Sequence, residues 1–285
     1  MPTEPPVASP RTLPEAYALL ADAPHRPMAG GTDLLVELTG ERGAPPERVL
    51  DIWHLDELRG IALQGDALMI GALTTYAEVR RSTLVAEFLP ALADAAGTIG
   101  AAQIQNRGTI GGNAANASPA GDTLPLLLAC DAELIAGSAR GERTLAARDF
   151  WPAYRRTALA PDEILLRISF PLAVDRQVGF RKIGTRRAQA ISKVVMALSW
   201  RVGDDGSAWR DVHLALGSVA ATPIRAPRTE AVLEGATPTE AAADRAASTL
   251  ASEINPIDDV RSSADYRRAV AARVLHRLLR ESGGW

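Results

Sequence analysis

Two glycine pairs set far apart constrain this chain more than any other feature. Gly30-Gly31 stands in "AGGTDLL", and Gly111-Gly112 in "RGTIGGNAANASPAGDTLPLLLACDAEL". Each pair is followed by short polar residues and then by an apolar stretch of helical character. Backbone N–H groups converge on an anion only where the chain tolerates left-handed dihedrals and no side chain stands in the way; adjacent glycines satisfy both conditions. Each charge-assisted hydrogen bond contributes roughly 1.5–3 kcal/mol, so a handful of amides holds a diphosphate without any lysine. Thr32, Asn113 and Ser118 add short polar groups, and a helix beginning near Thr32 points its positive end toward such an anion. As bare residues the same pairs also suit two ordinary turns. A P-loop fails for want of GK[ST], and a nicotinamide Rossmann unit fails because no G-x-G-x-x-G opens a first strand and helix.

The 285 residues, 47% of them hydrophobic, are enough for two domains with sizeable cores. A formal charge of −3, from 31 basic and 34 acidic side chains, gives no reason to expect nucleic acid or an acidic membrane as partner. The basic pairs Arg155-Arg156 and Arg186-Arg187 read as solvated faces. One cysteine, Cys130, lies in the apolar "PLLLACDAEL" and reads as a buried small side chain; alone it cannot hold an iron–sulfur cluster. His25, His54, His213 and His276 show no metal-ligand spacing. The proline-rich start lacks the basic and apolar regions of a signal peptide, and no apolar run is long enough for a membrane span, so a soluble, cytoplasmic protein is expected.

Along the chain, "TLPEAYALLADA" predicts a helix after Thr12, and 26–29 a short strand. "GGTDLLVELTG" predicts a tight turn into a short helix ended by Gly40, and the loop "ERGAPPE" leads to a strand in "RVLDIW". "LRGIALQGDALMIGALTTYAEV" predicts a hairpin turning at Gly65-Asp66 before a helix. "LVAEFLPALADAAGTIG" reads as one helix with Pro90 inside it. "DAELIAGSARGERTLAARDFW" reads as two strands around a Gly-Ser turn, and "EILLRISFPL" as a strand closed by Pro171. We place a domain boundary near 172, with the first domain subdivided near 55–65. Beyond it come strand "QVGFRKIG", the apolar "AISKVVMALSWRV", a Gly/Asp turn at 203–206, strand "WRDVHLALGSV" and closing helices. In the last helix Tyr266, Val270, Val274 and Leu278 form an apolar stripe suited to core packing or to a partner.

"AGGTDLL" and "GTIGGNAANASPAGDTLP" together resemble the FAD-binding medium subunit of the molybdenum hydroxylases, the family of the xanthine dehydrogenases and the carbon monoxide dehydrogenase flavoprotein. "FRKIGTRRAQAISKVVMA", "ALGSVAATPIRAPRTEAVLEG" and "PIDDVRSSADYRRAVAARVLHR" resemble the start, middle and closing helix of the family's C-terminal domain, in the same order. The resemblance implies an α+β fold: a two-part FAD-binding domain of the vanillyl-alcohol oxidase (PCMH) type over 1–172, then a smaller CO dehydrogenase flavoprotein-like α+β domain over 173–285. It implies FAD as cofactor and an oxidoreductase complex with a molybdopterin large subunit and a small subunit carrying two [2Fe-2S] clusters, assembled as a dimer of heterotrimers. Electrons would reach FAD from the clusters and pass to NAD+ or another acceptor.

For the site, the resemblance implies that Ala29, Gly30, Gly31, Thr32, Asp33 and Leu34 hold the diphosphate from one side and Thr109, Ile110, Gly111, Gly112 and Asn113 from the other. Ser118 and Asp122 match positions bonded to ribityl or adenosine hydroxyls, and Lys182 a lysine near the flavin ring, where a cation stabilises the anionic reduced form. Read as residues alone, "SPAGD" is equally a turn and Lys182 a solvated strand lysine. Where mammalian xanthine dehydrogenases place an arginine before a run of acidic residues, this chain has "RRAQAIS", so their electrostatics toward NAD+ do not carry over. A self-contained FAD oxidoreductase and a non-catalytic assembly protein are the competing readings.

Overall fold

Strand residues 194–198 are buried without a break, and the two faces of that run belong to two different cores. In the computed structural model, which describes residues 4–40, 45–173, 175–186, 189–203, 206 and 208–285, the chain begins with β1 (Val7–Ala8), α1 (Leu13–Asp22), β2 (Arg26–Met28), α2 (Leu34–Thr39) and β3 (Val49–Asp51). The hairpin β4 (Ile61–Gln64) and β5 (Ala67–Gly71) leads to α3 (Tyr76–Arg81), α4 (Thr83–Phe88), α5 (Pro90–Thr98), α6 (Ala102–Gln105), α7 (Ile110–Asn116) and α8 (Leu124–Ala129). After β6 (Glu133–Ser138), β7 (Gly141–Ala146), α9 (Ala147–Phe150) and β8 (Ile164–Pro171) come β9 (Arg176–Ile183), β10 (Val194–Val202), β11 (Trp209–Gly217) and β12 (Ile224–Arg225). The chain closes with α10 (Pro227–Leu233), α11 (Glu240–Glu253) and α12 (Ala264–Gly283).

These elements form three sheets: a small parallel one in the order β1-β3-β2, and two antiparallel ones in the orders β4-β5-β8-β6-β7 and β12-β11-β10-β9. The period of two that sends successive side chains to opposite faces explains the apolar run in β10. Val195 and Ala197 pack with α5, α8 and the five-stranded sheet, whereas Val194, Met196, Leu198 and Trp200 pack under α11 and α12. The sheet is thus the wall between two cores. A third core lies between α1, β3 and β8, around Leu50, Leu55 and Leu166.

Local chemistry sets the boundaries. The Thr12 side chain accepts from the Glu15 amide and Pro14 occupies the first turn of α1. Thr75 and Glu78 form a reciprocal capping box at α3. Pro90 opens a new helix at its first turn, so the single helix expected over 84–100 is two, broken at Leu89. Gly137 and Ser138 belong to β6, and the hairpin turns at Ala139-Arg140; Gly137 packs its bare backbone against the Tyr17 hydroxyl and the Leu166 side chain. In α12 the buried stripe is Arg267, Ala271, Leu275, Leu278 and Leu279, while Tyr266 is exposed and Val270 and Val274 are half-buried. Buried Arg267 is held by Ser218 O and Asp259 Oδ1, both at 2.7 Å. Residues 41–44 of the "ERGAPPE" loop, Asp204 and Asp205 of the 203–206 turn, and Arg187 lie outside the described residues. Among the described residues no helix is long and apolar enough to cross a membrane.

Candidate flavin site

A cleft of about 660 Å³ opens between the segment joining β2 to α2, the start of α7, and β9. Ala29, Gly30, Gly31, Thr32, Asp33 and Leu34 form one wall; Thr109, Gly111, Gly112, Asn113, Ser118 and Asp122 form the opposite wall, and Lys182 reaches in from β9. Ile110 is the exception: it is fully buried in the core and is not on the cleft wall.

The first stretch needs its glycine at the contact: a Cβ on Gly30 would stand 1.7 Å from the Arg107 carbonyl oxygen, just before the second stretch, whereas one on Gly112 would meet the Ala29 Cβ at an ordinary 3.8 Å. Gly31 has φ +76°, the left-handed region that glycine adopts freely. Gly111 serves another purpose. A Cβ there would lie 2.6 Å from the Ala72 carbonyl oxygen, so the glycine lets α7 press against the end of β5.

Only the first stretch has amides that no protein group engages. Among the described residues, the amides of Gly30, Gly31, Thr32, Asp33 and Leu34 donate to no protein acceptor. The amides at the start of α7 are all taken: Ile110 donates to Thr74 O (3.1 Å), Gly111 to Ala72 O (2.9 Å), Gly112 to Thr109 Oγ1 (3.0 Å) and Asn113 to Thr109 O (3.0 Å). The second glycine pair therefore lies in a helical first turn, and what α7 offers the cleft is side chains. Asn113 Oδ1 accepts from the Thr123 hydroxyl (2.7 Å), which aims its amide group, and Ser118 Oγ accepts from the Ala120 amide while keeping its own proton. The helix after the first pair starts at Leu34 and is short, and Asp33 at its N-cap makes no capping bond.

At the other end, Lys182 Nζ lies 2.5 Å from Asp122 Oδ2 and donates to Thr98 O at 3.0 Å. Ser192 Oγ donates to Asp122 Oδ1. Burial pushes the Asp122 carboxyl up, against the pull of the Lys182 charge and of the hydrogen bonds from Lys182 and Ser192. Both side chains are almost wholly buried, so Lys182 is not a solvated strand lysine.

Two further groups on the cleft escape a sequence reading. Tyr76 is buried on the cleft; burial first, then the charges of Asp122 and Asp33, raises the phenol well above its usual value, with Thr123 pulling the other way. Arg155 is exposed, as expected, but takes φ +51° and lines the cleft, where Nη1 meets Glu37 Oε1 (2.8 Å) and Asn116 Oδ1 (3.4 Å). The signal for Tyr76 was its place after the "TT" of a capping box; Arg155 had none. Cys130 is buried and its thiol is pushed up to about 12 by desolvation, an inert group. No cluster of histidine, cysteine and carboxylate side chains suited to a metal occurs among the described residues.

Comparison with known proteins assigns the class. The family described as "FAD binding domain in molybdopterin dehydrogenase" matches residues 3–173, and "CO dehydrogenase flavoprotein C-terminal domain" matches residues 180–282. Fold and site thus define a flavoprotein subunit of an oxidoreductase. The carbon monoxide dehydrogenase medium chain of Hydrogenophaga pseudoflava is 34% identical over 279 residues, covering 95% of this chain and 94% of that one. The xanthine dehydrogenase FAD-binding subunit of Escherichia coli O157:H7 is 32% identical over 281 residues, covering 96% and 95%. The solved carbon monoxide dehydrogenase of H. pseudoflava that lacks the Mo-pyranopterin moiety superposes with a TM-score of 0.92 at 32% identity, covering 98% of this chain and 97% of that one. The chain belongs to the FAD-binding medium subunits of the molybdenum hydroxylase family, and its cofactor is FAD. The near-equal identities to the carbon monoxide and xanthine branches do not choose between them.

Proposed function

We propose that this chain is the flavin-bearing electron relay of a molybdopterin-dependent hydroxylase or dehydrogenase, working beside a molybdopterin large subunit and a [2Fe-2S] small subunit in a dimer of heterotrimers. When bound, FAD supplies the redox chemistry, taking electrons from the clusters and yielding them to NAD+ or another acceptor. The observation that carries the reading is the row of five unbonded amides from Gly30 to Leu34, facing α7 across the cleft. That donor set suits a diphosphate. The lone cysteine agrees with clusters held on another chain.

In this reading the protein's own groups divide the work along the cleft. The amides of 30–34 and the Thr32 hydroxyl hold the diphosphate; Ala29, Gly111 and Gly112 supply side-chain-poor wall, and Thr109 fixes the turn of α7. Asn113 and Ser118 offer a donor each to the polyol hydroxyls. Asp122 keeps a lone pair on each oxygen for a further hydroxyl, and the buried Lys182 cation favours negative charge at the ring end. The division of the chain near 172, with the first part split near 55–65, belongs to the same proposal.

Isolation of the native complex tests the reading. It predicts one FAD on this chain, molybdenum and iron on co-purifying partners, and no substrate turnover by the chain alone. A chain that stays colourless after reconstitution with FAD, or that oxidises substrate unaided, overturns it.

A further inference from the structure

The cleft lacks a lysine at its diphosphate end; of the cations on its walls, Arg155 is paired with Glu37 and Lys182 with Asp122, whereas Arg26, whose charge acts on Asp33, and Arg261 form no ion pair among the described residues. A further cation stands on the carbonyl side of the Gly30-Gly31 peptide. The Arg107 guanidinium carbon lies 3.8 Å from the centroid of the Trp53 ring, and Arg107 Nε donates to the Gly30 carbonyl in a long bond of 3.4 Å. The same ring carries Arg59 at 4.3 Å, whose guanidinium is tied to Trp53 O (2.7 Å) and Leu73 O (3.1 Å). Arg107 forms no ion pair among the described residues, so its charge is not neutralised within the protein.

The Gly30 carbonyl and the Gly31 N–H belong to one peptide unit, and no cis peptide occurs among the described residues. In a trans peptide the two groups point in opposite directions. A guanidinium on the carbonyl therefore turns the Gly31 N–H away from Arg107. It also strengthens that N–H as a donor, because bonds that share a peptide polarise one another. Trp53 matters because a free arginine is flexible; stacking on an aromatic face holds the guanidinium plane where the carbonyl needs it.

We propose that Arg107, steadied by the Trp53 face, is a positioning residue for the diphosphate of the dinucleotide: it orients and polarises the Gly30-Gly31 peptide and supplies from behind the positive charge that a lysine supplies in other phosphate sites. The proposal rests on the reading that the 30–34 amides hold the diphosphate.

The test uses the full-length chain stripped of flavin and titrated with FAD, with ADP and adenosine as competitors, at two salt concentrations. Arg107→Gln and Trp53→Leu are expected to weaken FAD and ADP about tenfold, a typical yield for a charge-assisted or cation–π contact. Both are expected to leave adenosine unchanged and to flatten the salt dependence, while Arg107→Lys restores the salt slope and part of the affinity. Wild-type FAD and ADP affinity in Arg107→Gln overturns the proposal, as does an equal loss for ADP and adenosine, which reports a disordered cleft. Gly31→Val in the same titration separates the two ideas. Wild-type ADP affinity in that variant removes the diphosphate assignment itself, whereas its loss together with an unaffected Arg107→Gln removes only the role of Arg107.

Discussion

Lys182 and Asp122, on β9 and on the loop before α8, form a buried ion pair across the joint between the two halves of the chain, with Nζ to Oδ2 at 2.5 Å. Removing one partner of such a pair strands the other charge in a site that water barely reaches. Lys182→Met is therefore expected to lower stability by about 3–5 kcal/mol, and the double change Lys182→Met, Asp122→Leu to recover a large part of it. Denaturant midpoints of the two variants, at unchanged m-value, check this. Equal midpoints for Lys182→Met and the wild type would deny the pair any structural weight.

Asp33 gives a pH dependence with a definite sign. Although exposed on its cleft side, its carboxyl is raised, by desolvation first, with Arg155 pulling the other way. Between the ordinary carboxylate range and the raised value the folded chain keeps a proton that the unfolded chain has released. Stability from this group therefore falls as pH rises through that window. An incoming diphosphate raises the carboxyl further, so binding takes up a proton and FAD affinity falls as pH rises across the same window. Titrations of Asp33→Asn are expected to show tighter binding above the window and a flatter profile.

Glycine substitutions separate close approach from backbone strain. Gly30→Ala drives a methyl into the Arg107 carbonyl, a backbone atom that cannot swing aside, and is expected to cost about 3 kcal/mol and the bound flavin. Gly65→Ala meets nothing within 4 Å and bears only the penalty of φ +59°, about 1 kcal/mol, with flavin retained. Thermal unfolding and flavin absorbance of both variants measure the contrast.

Arg267 anchors the turn before α12 from inside the protein. Replacing it with methionine leaves the buried Ser218 carbonyl without this donor and Asp259 with only the Arg261 and Ser262 amides. Because Asp259 is partly exposed, water recovers some of the loss, and the expected cost is about 2–3 kcal/mol. Urea unfolding of Arg267→Met, set against Arg267→Lys as the milder change, checks it.

Much of this arrangement was legible in the sequence because it rests on local rules. The Thr12 cap, the Gly65-Asp66 hairpin and the Gly40 helix end are decided within a few residues, and the two glycine pairs announce a close approach. What was not legible depended on partners far along the chain. Pro90 reads equally as a defect inside a helix or as the first residue of a new one, and only the packing of α4 and α5 against α3 decides. Gly111-Gly112 looked like a second amide cradle because the carbonyls that occupy those amides, Thr74 and Ala72, lie on another element. Arg155 is exposed as its sequence suggests, but its left-handed turn toward Glu37 and the cleft leaves no mark in "AYRRT". The apolar run of β10 hid its alternation because both of its faces are core.

The central claim is that the amides from Gly30 to Leu34 hold the cofactor's diphosphate, and amide hydrogen exchange with and without FAD measures this most directly. The peptide spanning 29–35 is predicted to exchange fast in the flavin-free chain and to slow by about tenfold or more on adding FAD or ADP, while the already bonded amides of 110–113 change little. An unchanged 29–35 peptide beside a newly protected 110–113 would contradict the account and move the diphosphate to the other wall.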